Sequence, residues 1–349
     1  MRRRFSRALF GASLALLLVA GPTLACGGLI GPNGAVNLLR TTTFAAYHDG
    51  VEHYVTAFQF AGGGGAFGSI TPLPGVPSKV EKGGDWTLQR LVRETSPQLD
   101  AARATTLSAA GEAVELMKVR IDALDVTVLK GGSEEVGKWA ADHGFRLPPD
   151  APEVLEFYAK RSPIFLAAVF DASAAKDRGQ AVGDGTPVHI SIPTTNPWVP
   201  IRILALGKTG QDRIDADVFL LTDRAPAFLP APTGSNGMRL EHSQPASQSL
   251  LDDLRSDRGM EWVPAGGHLT KIAIDASAPQ LAYDLAIDAS GQGVPSWVQA
   301  GFDAPSPIVI EIESATWTRL VLGAVLALAV LIIVVALPRG RRDSLTPQG

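Results

Sequence analysis

Apolar and polar positions alternate with period two over much of the chain, which is the pattern of half-buried strands. Residues 36–47 and 51–60 form two such runs on either side of Asp49-Gly50. That dipeptide, set between β-branched runs, predicts a two-residue hairpin. Further strands are expected at 124–129, 164–170, 188–192, 201–206, 218–221, 269–274 and 281–287, each bounded by turn residues. Helical spacing appears at 86–95, where Leu88, Leu91 and Val92 share one face behind a capping Asp85. It recurs at 134–143, at 152–160 with Pro152 in the first turn, and at 248–257. Residues 225–247 are rich in Pro, Ser and Gly, predicting a long loop or a boundary between two lobes. Residues 291–316 read as a Pro/Gly-rich stalk. Strands and helices cluster and no repeat period is present, so the expected fold is α+β with antiparallel sheets and a few helices.

Two apolar segments fall outside this globular pattern. Arg2, Arg3, Arg4 and Arg7 precede an uncharged run over residues 8–20, then Gly21-Pro22-Thr23-Leu24-Ala25. This is the layout of a secretory signal peptide over residues 1–25, cut after Ala25 and leaving Cys26 first. Thr23 and Leu24 reverse the order that lipid attachment at Cys26 favours. Near the other end, residues 320–337 carry no charge; Trp317 precedes them and Pro338 closes the run. Eighteen helical residues at about 1.5 Å each match the hydrocarbon core, so a transmembrane helix is expected over 317–338. Arg339, Arg341 and Arg342 follow, whereas Glu311 and Glu313 precede. The expected topology is a single pass with residues 26–316 outside and a short basic tail, 339–349, in the cytoplasm.

The chain has 349 residues, 46% hydrophobic and 19% charged, with a formal charge of −4. This composition excludes a largely disordered chain, and one cysteine excludes an internal disulfide. Residues 26–316 hold 23 basic and 34 acidic side chains, a balance of −11. Such a domain repels phosphate backbones, so nucleic acid is not an expected partner. The expected partners are the bilayer, through the C-terminal helix, and an envelope protein or glycan.

Several stretches resemble the bacterial domain-of-unknown-function family 2330. They are Phe67-Gly68-Ser69-Ile70-Thr71-Pro72-Leu73-Pro74-Gly75-Val76-Pro77 and Asp125-Val126-Thr127-Val128-Leu129 with the later Trp139. The His143-Gly144-Phe145-Arg146-Leu147-Pro148 turn, Phe157-Tyr158 and Pro200-Ile201-Arg202-Ile203 are similar too, as is the start Ala25-Cys26-Gly27-Gly28. The resemblance spans roughly residues 25–225. It implies an extracytoplasmic bacterial protein of unassigned activity and supplies no catalytic residues.

The chemistry-bearing motifs are sparse. His48-Asp49-Gly50-Val51-Glu52-His53 sets four potential ligands in six residues. With Asp49-Gly50 as the turn, His48 and His53 lie diagonally on one hairpin face, near enough to share an ion. Glu52 points to the other face, so a third ligand must come from elsewhere. Gly207-Lys208-Thr209 lacks the upstream glycine of a phosphate-binding loop, since Arg202 stands there. Ser173 and Lys176 have the spacing of a penicillin-binding nucleophile pair, but sit in a polar turn. Asp212, Asp215 and Asp217 cluster without the spacing of an EF-hand. No catalytic residue, cofactor or metal site is assigned, with His48 and His53 the candidates for a metal. The expected function is a membrane-tethered binding or interaction module of the cell envelope. The alternative is a surface hydrolase acting on envelope polymers, metal-assisted through His48 and His53.

Overall fold

The computed structural model describes residues 28–31, 34–35, 41–59, 67–96, 117–171, 174, 177, 185–290, 293 and 295–302. The expected signal peptide, Cys26, Ser173, Lys176, the transmembrane segment and the basic tail lie outside these residues. Among the described residues no helix is long and apolar enough to cross a membrane.

The chain opens with β1 (Gly28–Gly31), β2 (Gly34–Ala35), β3 (Thr41–His48), β4 (Val51–Gln59), β5 (Phe67–Leu73) and β6 (Lys79–Lys82). Helix α1 (Thr87–Thr95) leads to β7 (Lys118–Ile121) and β8 (Leu124–Lys130). Helices α2 (Ser133–Asp142) and α3 (Ala151–Ala159) precede β9 (Ile164–Phe170), β10 (Gly185–Pro193) and β11 (Trp198–Val199). Then come β12 (Arg213–Thr222), β13 (Ala227–Leu229), β14 (Met238–Pro245) and α4 (Gln248–Ser256). The described part closes with β15 (His268–Ser277), β16 (Leu285–Asp288) and α5 (Trp297–Ala300). This is a strand-rich α+β fold with antiparallel sheets and a few helices.

A six-stranded sheet runs β2-β1-β5-β9-β8-β7, a seven-stranded sheet β14-β15-β12-β3-β4-β10-β6, and a small one β11-β16-β13. All pairs are antiparallel except β3 with β12. Alternation along the strands explains how these sheets stack. Ile214, Ala216, Val218 and Leu220 of β12 join Val126, Val128, Leu166 and Ala168 of the six-stranded sheet in one core. The alternate positions Phe219 and Leu221 pack instead with Leu88 and Leu91 of α1 and Leu250, Leu251 and Leu254 of α4. On the far face of the six-stranded sheet, Phe165 and Ala167 meet Val136 and Trp139 of α2 and Leu155 and Tyr158 of α3. The layers therefore run helix, sheet, sheet, helix, because each strand has a separate apolar partner for each of its faces.

Four expectations need correction. Residues 201–206 are not a strand: Arg202–Ala205 is a 3-10 turn. Asp284 Oδ1 accepts the Ile201 and Arg202 amides at 2.9 and 3.0 Å, and Tyr158 Oη accepts that of Ile203 at 2.8 Å. These donors are therefore satisfied by side chains and need no ladder partner. Residues 225–247 are not a long loop, since they contribute β13 and β14, and β14 pairs with β15 in the largest sheet. Residues 297–300, expected within the stalk, form α5, folded in place where Ala300 O accepts the Asp284 amide at 3.0 Å; the expected stalk beyond Phe302 lies outside the described residues. Finally, α1 is capped from across the fold. Asp257 accepts the amides of Asp85 and Trp86 and the Thr87 hydroxyl, while the Asp85 carboxylate pairs with Lys82 at 2.9 Å.

Candidate functional site

The β3–β4 hairpin has the register that its sequence predicts, with Ala46 opposite His53 and His48 opposite Val51. Asp49 and Gly50 both have positive φ, 50° and 77°, which suits the twist of a two-residue turn. His48 and His53 accordingly share the helix-facing side of the sheet. Their ring nitrogens nevertheless serve different partners. His48 Nδ1 lies 2.7 Å from Asp223 Oδ1, and its Nε2 lies 3.2 Å from Asp49 Oδ2. His53 turns toward the next strand, where its Nδ1 meets His189 Nε2 at 2.9 Å. Among the described residues no group of three His, Cys, Asp or Glu side chains could hold a metal ion.

The strand register builds the surroundings of His53. On β10, Ser191 sits opposite His53 and His189 opposite Val55; on β6, Lys79 sits opposite Ser191 and Glu81 opposite His189. Period-two alternation sends His53, His189, Ser191, Lys79 and Glu81 to one face. Lys79 Nζ is 2.7 Å from Glu81 Oε2. Glu81 Oε1 is 3.3 Å from His189 Nδ1, an ion-pair separation that lacks hydrogen-bond alignment. Ser191 Oγ lies 3.4 Å from His189 Nε2. A proton on His189 Nδ1, toward the carboxylate, leaves His189 Nε2 to accept from His53 Nδ1. In that tautomer His53 Nε2 carries a lone pair, and in the reverse one it carries the proton.

Trp262 lies flat over this chain of groups, its centroid 4.0 Å from His53 at 5° and 4.9 Å from His189 at 20°. It comes from the loop after α4, which Met260 and Val263 bury against the helix-side core. Arg255 Nη1 ties the same loop down through Pro264 O at 2.8 Å. Burial beneath the indole pushes the His53 imidazole down to about 4, aided by charge on His189 and His48 and opposed by Glu81. Burial likewise lowers His189 to about 4, aided by Lys79 and opposed by Glu261. Both rings are neutral at pH 7. The arrangement presents an oriented, uncharged acceptor on an aromatic backing.

The remaining sequence candidates are dispersed. Asp212 accepts from the Thr209 amide and hydroxyl at 2.7 and 2.8 Å, and Asp217 is buried 3.4 Å from Lys271, so they share no ion. Gly207 donates to Asp150, as a turn residue would. Glu52 does point away from the histidines, into the core between the sheets. Neither carboxyl oxygen has a hydrogen bond of normal geometry, though the Trp198 backbone lies nearby. Burial raises its pKa to about 8, with partial relief from the Trp198 backbone. The sequence reading missed His189, Glu81 and Trp262, which lie 136, 28 and 209 positions from His53. The signal for two of them was a polar residue at an alternating strand position, His189 between Val188 and Ile190, and Glu81 after Val80.

A bacterial family described as an uncharacterized conserved protein matches residues 21–225. No curated protein matches. Among solved structures, baculovirus P35 is 11% identical, covers 72% of this chain and 96% of its own, and has a TM-score of 0.38. A mutated baculovirus P35 after caspase cleavage is 9% identical, with coverages of 71% and 99% and a TM-score of 0.38. A chain of the caspase-8/P35 complex is also 9% identical, with coverages of 71% and 90% and a TM-score of 0.32.

Proposed function

Since the chain belongs to the DUF2330 family of uncharacterised bacterial proteins, we propose that it is an extracytoplasmic binding module of the cell envelope. In this reading residues 1–25 direct export, residues 317–338 span the membrane once, and the turn end of the β3–β4 hairpin meets the ligand. The observation that carries the binding role is the neutral His53–His189 pair stacked under Trp262; in the tautomer with the proton on His189 Nδ1, His53 Nε2 is left as an acceptor. Such an acceptor recognises a donor, a hydroxyl or an N–H, and the stacked rings exclude water around it. The acidic balance of residues 26–316, with Glu81 and Glu261 acting on the histidines, favours neutral, hydroxyl-rich glycans over polyphosphates. The hydrolase alternative is weaker. A general base at neutral pH works best with a pKa near 7, and both imidazoles are depressed to about 4.

The test is thermal unfolding of the full chain in lipid nanodiscs with neutral envelope glycan fragments. A ligand at about 100 times its Kd adds about 2.7 kcal/mol and raises Tm measurably. His53→Phe keeps a ring over Trp262 and removes the acceptor, so the rise should vanish while the ligand-free Tm changes little. A glycan panel that leaves Tm flat, or a His53→Phe protein with an undiminished rise, overturns the reading.

A further inference from the structure

Four large apolar or aromatic side chains gather where the described chain leaves the fold. Tyr283, Trp297 and Val298 are 39%, 46% and 54% exposed, and Phe302 is partly exposed beside them. The three rings form one surface, with Val298 next to Trp297 in the chain: Tyr283 stacks on Phe302 with centroids 3.8 Å apart at 17°, and Trp297 meets Phe302 edge-on at 5.1 Å and 74°. Exposed large apolar side chains scattered singly need no explanation, but a stacked group of them does.

The patch is rigidly mounted. Gly301 N bonds Val298 O at 3.0 Å and Phe302 N bonds Trp297 O at 3.0 Å. Gly301 has φ +82°, and a Cβ there would sit 2.1 Å from the Phe157 ring, so only glycine lets the turn press onto α3. Arg161 Nη1 donates to Gln299 O while its Nη2 pairs with the buried Asp284. The aromatic rings are therefore presented by the core itself and not by a loose tail.

We propose that this surface sits in the interfacial zone of the bilayer and docks the folded domain onto the membrane that carries its anchor. The inference rests on the single-pass reading of residues 317–338. Residues 303–319 separate Phe302 from the apolar run, a span of at most about 60 Å when fully extended. The tether thus begins inside the patch and ends in the bilayer, holding the two at a high effective concentration, so that a weak contact suffices. Residue type fits the same occupant, because Trp and Tyr concentrate at the headgroup level with their rings in the apolar boundary. Charge does not drive the docking, since residues 26–316 carry −11 and an anionic leaflet would repel them.

The experiment uses the full chain with Cys26→Ser in vesicles of zwitterionic lipid. Val298→Cys carries an environment-sensitive fluorophore, and Val76→Cys, at a position 58% exposed on another loop, carries the control. Lipids spin-labelled near the headgroup should quench the label at 298 severalfold more than at 76, with no loss up to about 1 M salt. Trp297→Ser with Phe302→Ser should abolish the difference while the protein stays anchored and keeps its cooperative unfolding. Equal quenching at 298 and 76 in a protein that resists alkaline extraction overturns docking and leaves the tether standing. Protection at 298 that appears only at high protein-to-lipid ratio assigns the patch to a second copy, which also overturns docking. Release by alkaline extraction overturns both the tether and the docking.

Discussion

Glu52 and the histidine pair pull stability in opposite directions along the pH axis. Glu52 keeps its proton in the fold up to about 8, whereas the unfolded chain gives it up at an ordinary 4.5. Between those values the folded state binds more protons, so stability falls as pH rises, by at most about 1.4 kcal/mol per unit. His53 and His189 titrate near 4 in the fold against 6.5 ordinarily. There the unfolded chain binds more protons, so stability falls as pH drops from 6.5 toward 4. The two effects overlap below 6.5, which leaves 6.5 to 8 as the window that isolates the buried carboxyl. Glu52→Gln, a neutral side chain of the same shape, should flatten urea-derived stability over that window. A slope unchanged in the variant would place the titrating group elsewhere.

Among the elements, α1 depends on a residue remote in sequence. Its first turn has no side-chain cap of its own, and the orphan amides of a helix start must find acceptors. Asp257, at the end of α4, holds the entry to the helix with one carboxylate, accepting the Asp85 and Trp86 amides and the hydroxyl of Thr87, its first residue, and in doing so joins the two helices that cover the seven-stranded sheet. Asp257→Ala should cost about 1–3 kcal/mol, read as a lower urea midpoint at constant m. Asp257→Asn, which keeps one acceptor oxygen, should recover part of the loss. The hairpin behaves differently, because the two-residue turn at Asp49-Gly50 sets its register locally, and β12 and β10 then flank it on either side.

For the whole molecule, one buried ion pair links three parts of the fold. Asp284 takes the Ile201 and Arg202 amides and the Tyr158 hydroxyl on one oxygen, and the Arg161 guanidinium on the other. Arg161 also lies over Phe157 and Trp198, 4.2 and 4.8 Å from their centroids. This network connects α3, the 3-10 turn and the strand that follows Asp284, and through Gln299 it fixes α5. Asp284→Ala leaves a guanidinium buried without its partner and should cost about 3–5 kcal/mol, visible as a large drop in denaturation midpoint. Replacing both groups by apolar residues, Arg161→Met with Asp284→Leu, should cost less than Asp284→Ala alone.

Period and turn chemistry in the sequence were enough for the α+β class, for the ranges of β9 and of α1 to α4 to within a residue or so, and for the hairpin that aims His48 and His53 to one side. These are local properties, since alternation, helical spacing and a positive-φ turn each act within about ten residues. The 201–206 segment was misread because its apolar content matches a strand, while the acceptors that curl it are on Asp284 and Tyr158. Likewise β14 was hidden in a polar, proline-containing stretch, because it lies at the edge of its sheet and most of its side chains face water. The imidazole chain was half legible: His53 stood out beside its turn, but its partners come from β10, β6 and the loop after α4. Only the pairing order of the strands brings His189 and Glu81 alongside, and only the packing of Met260 and Val263 lays Trp262 over them. Long-range pairing sets which side chains meet, and no local pattern encodes it.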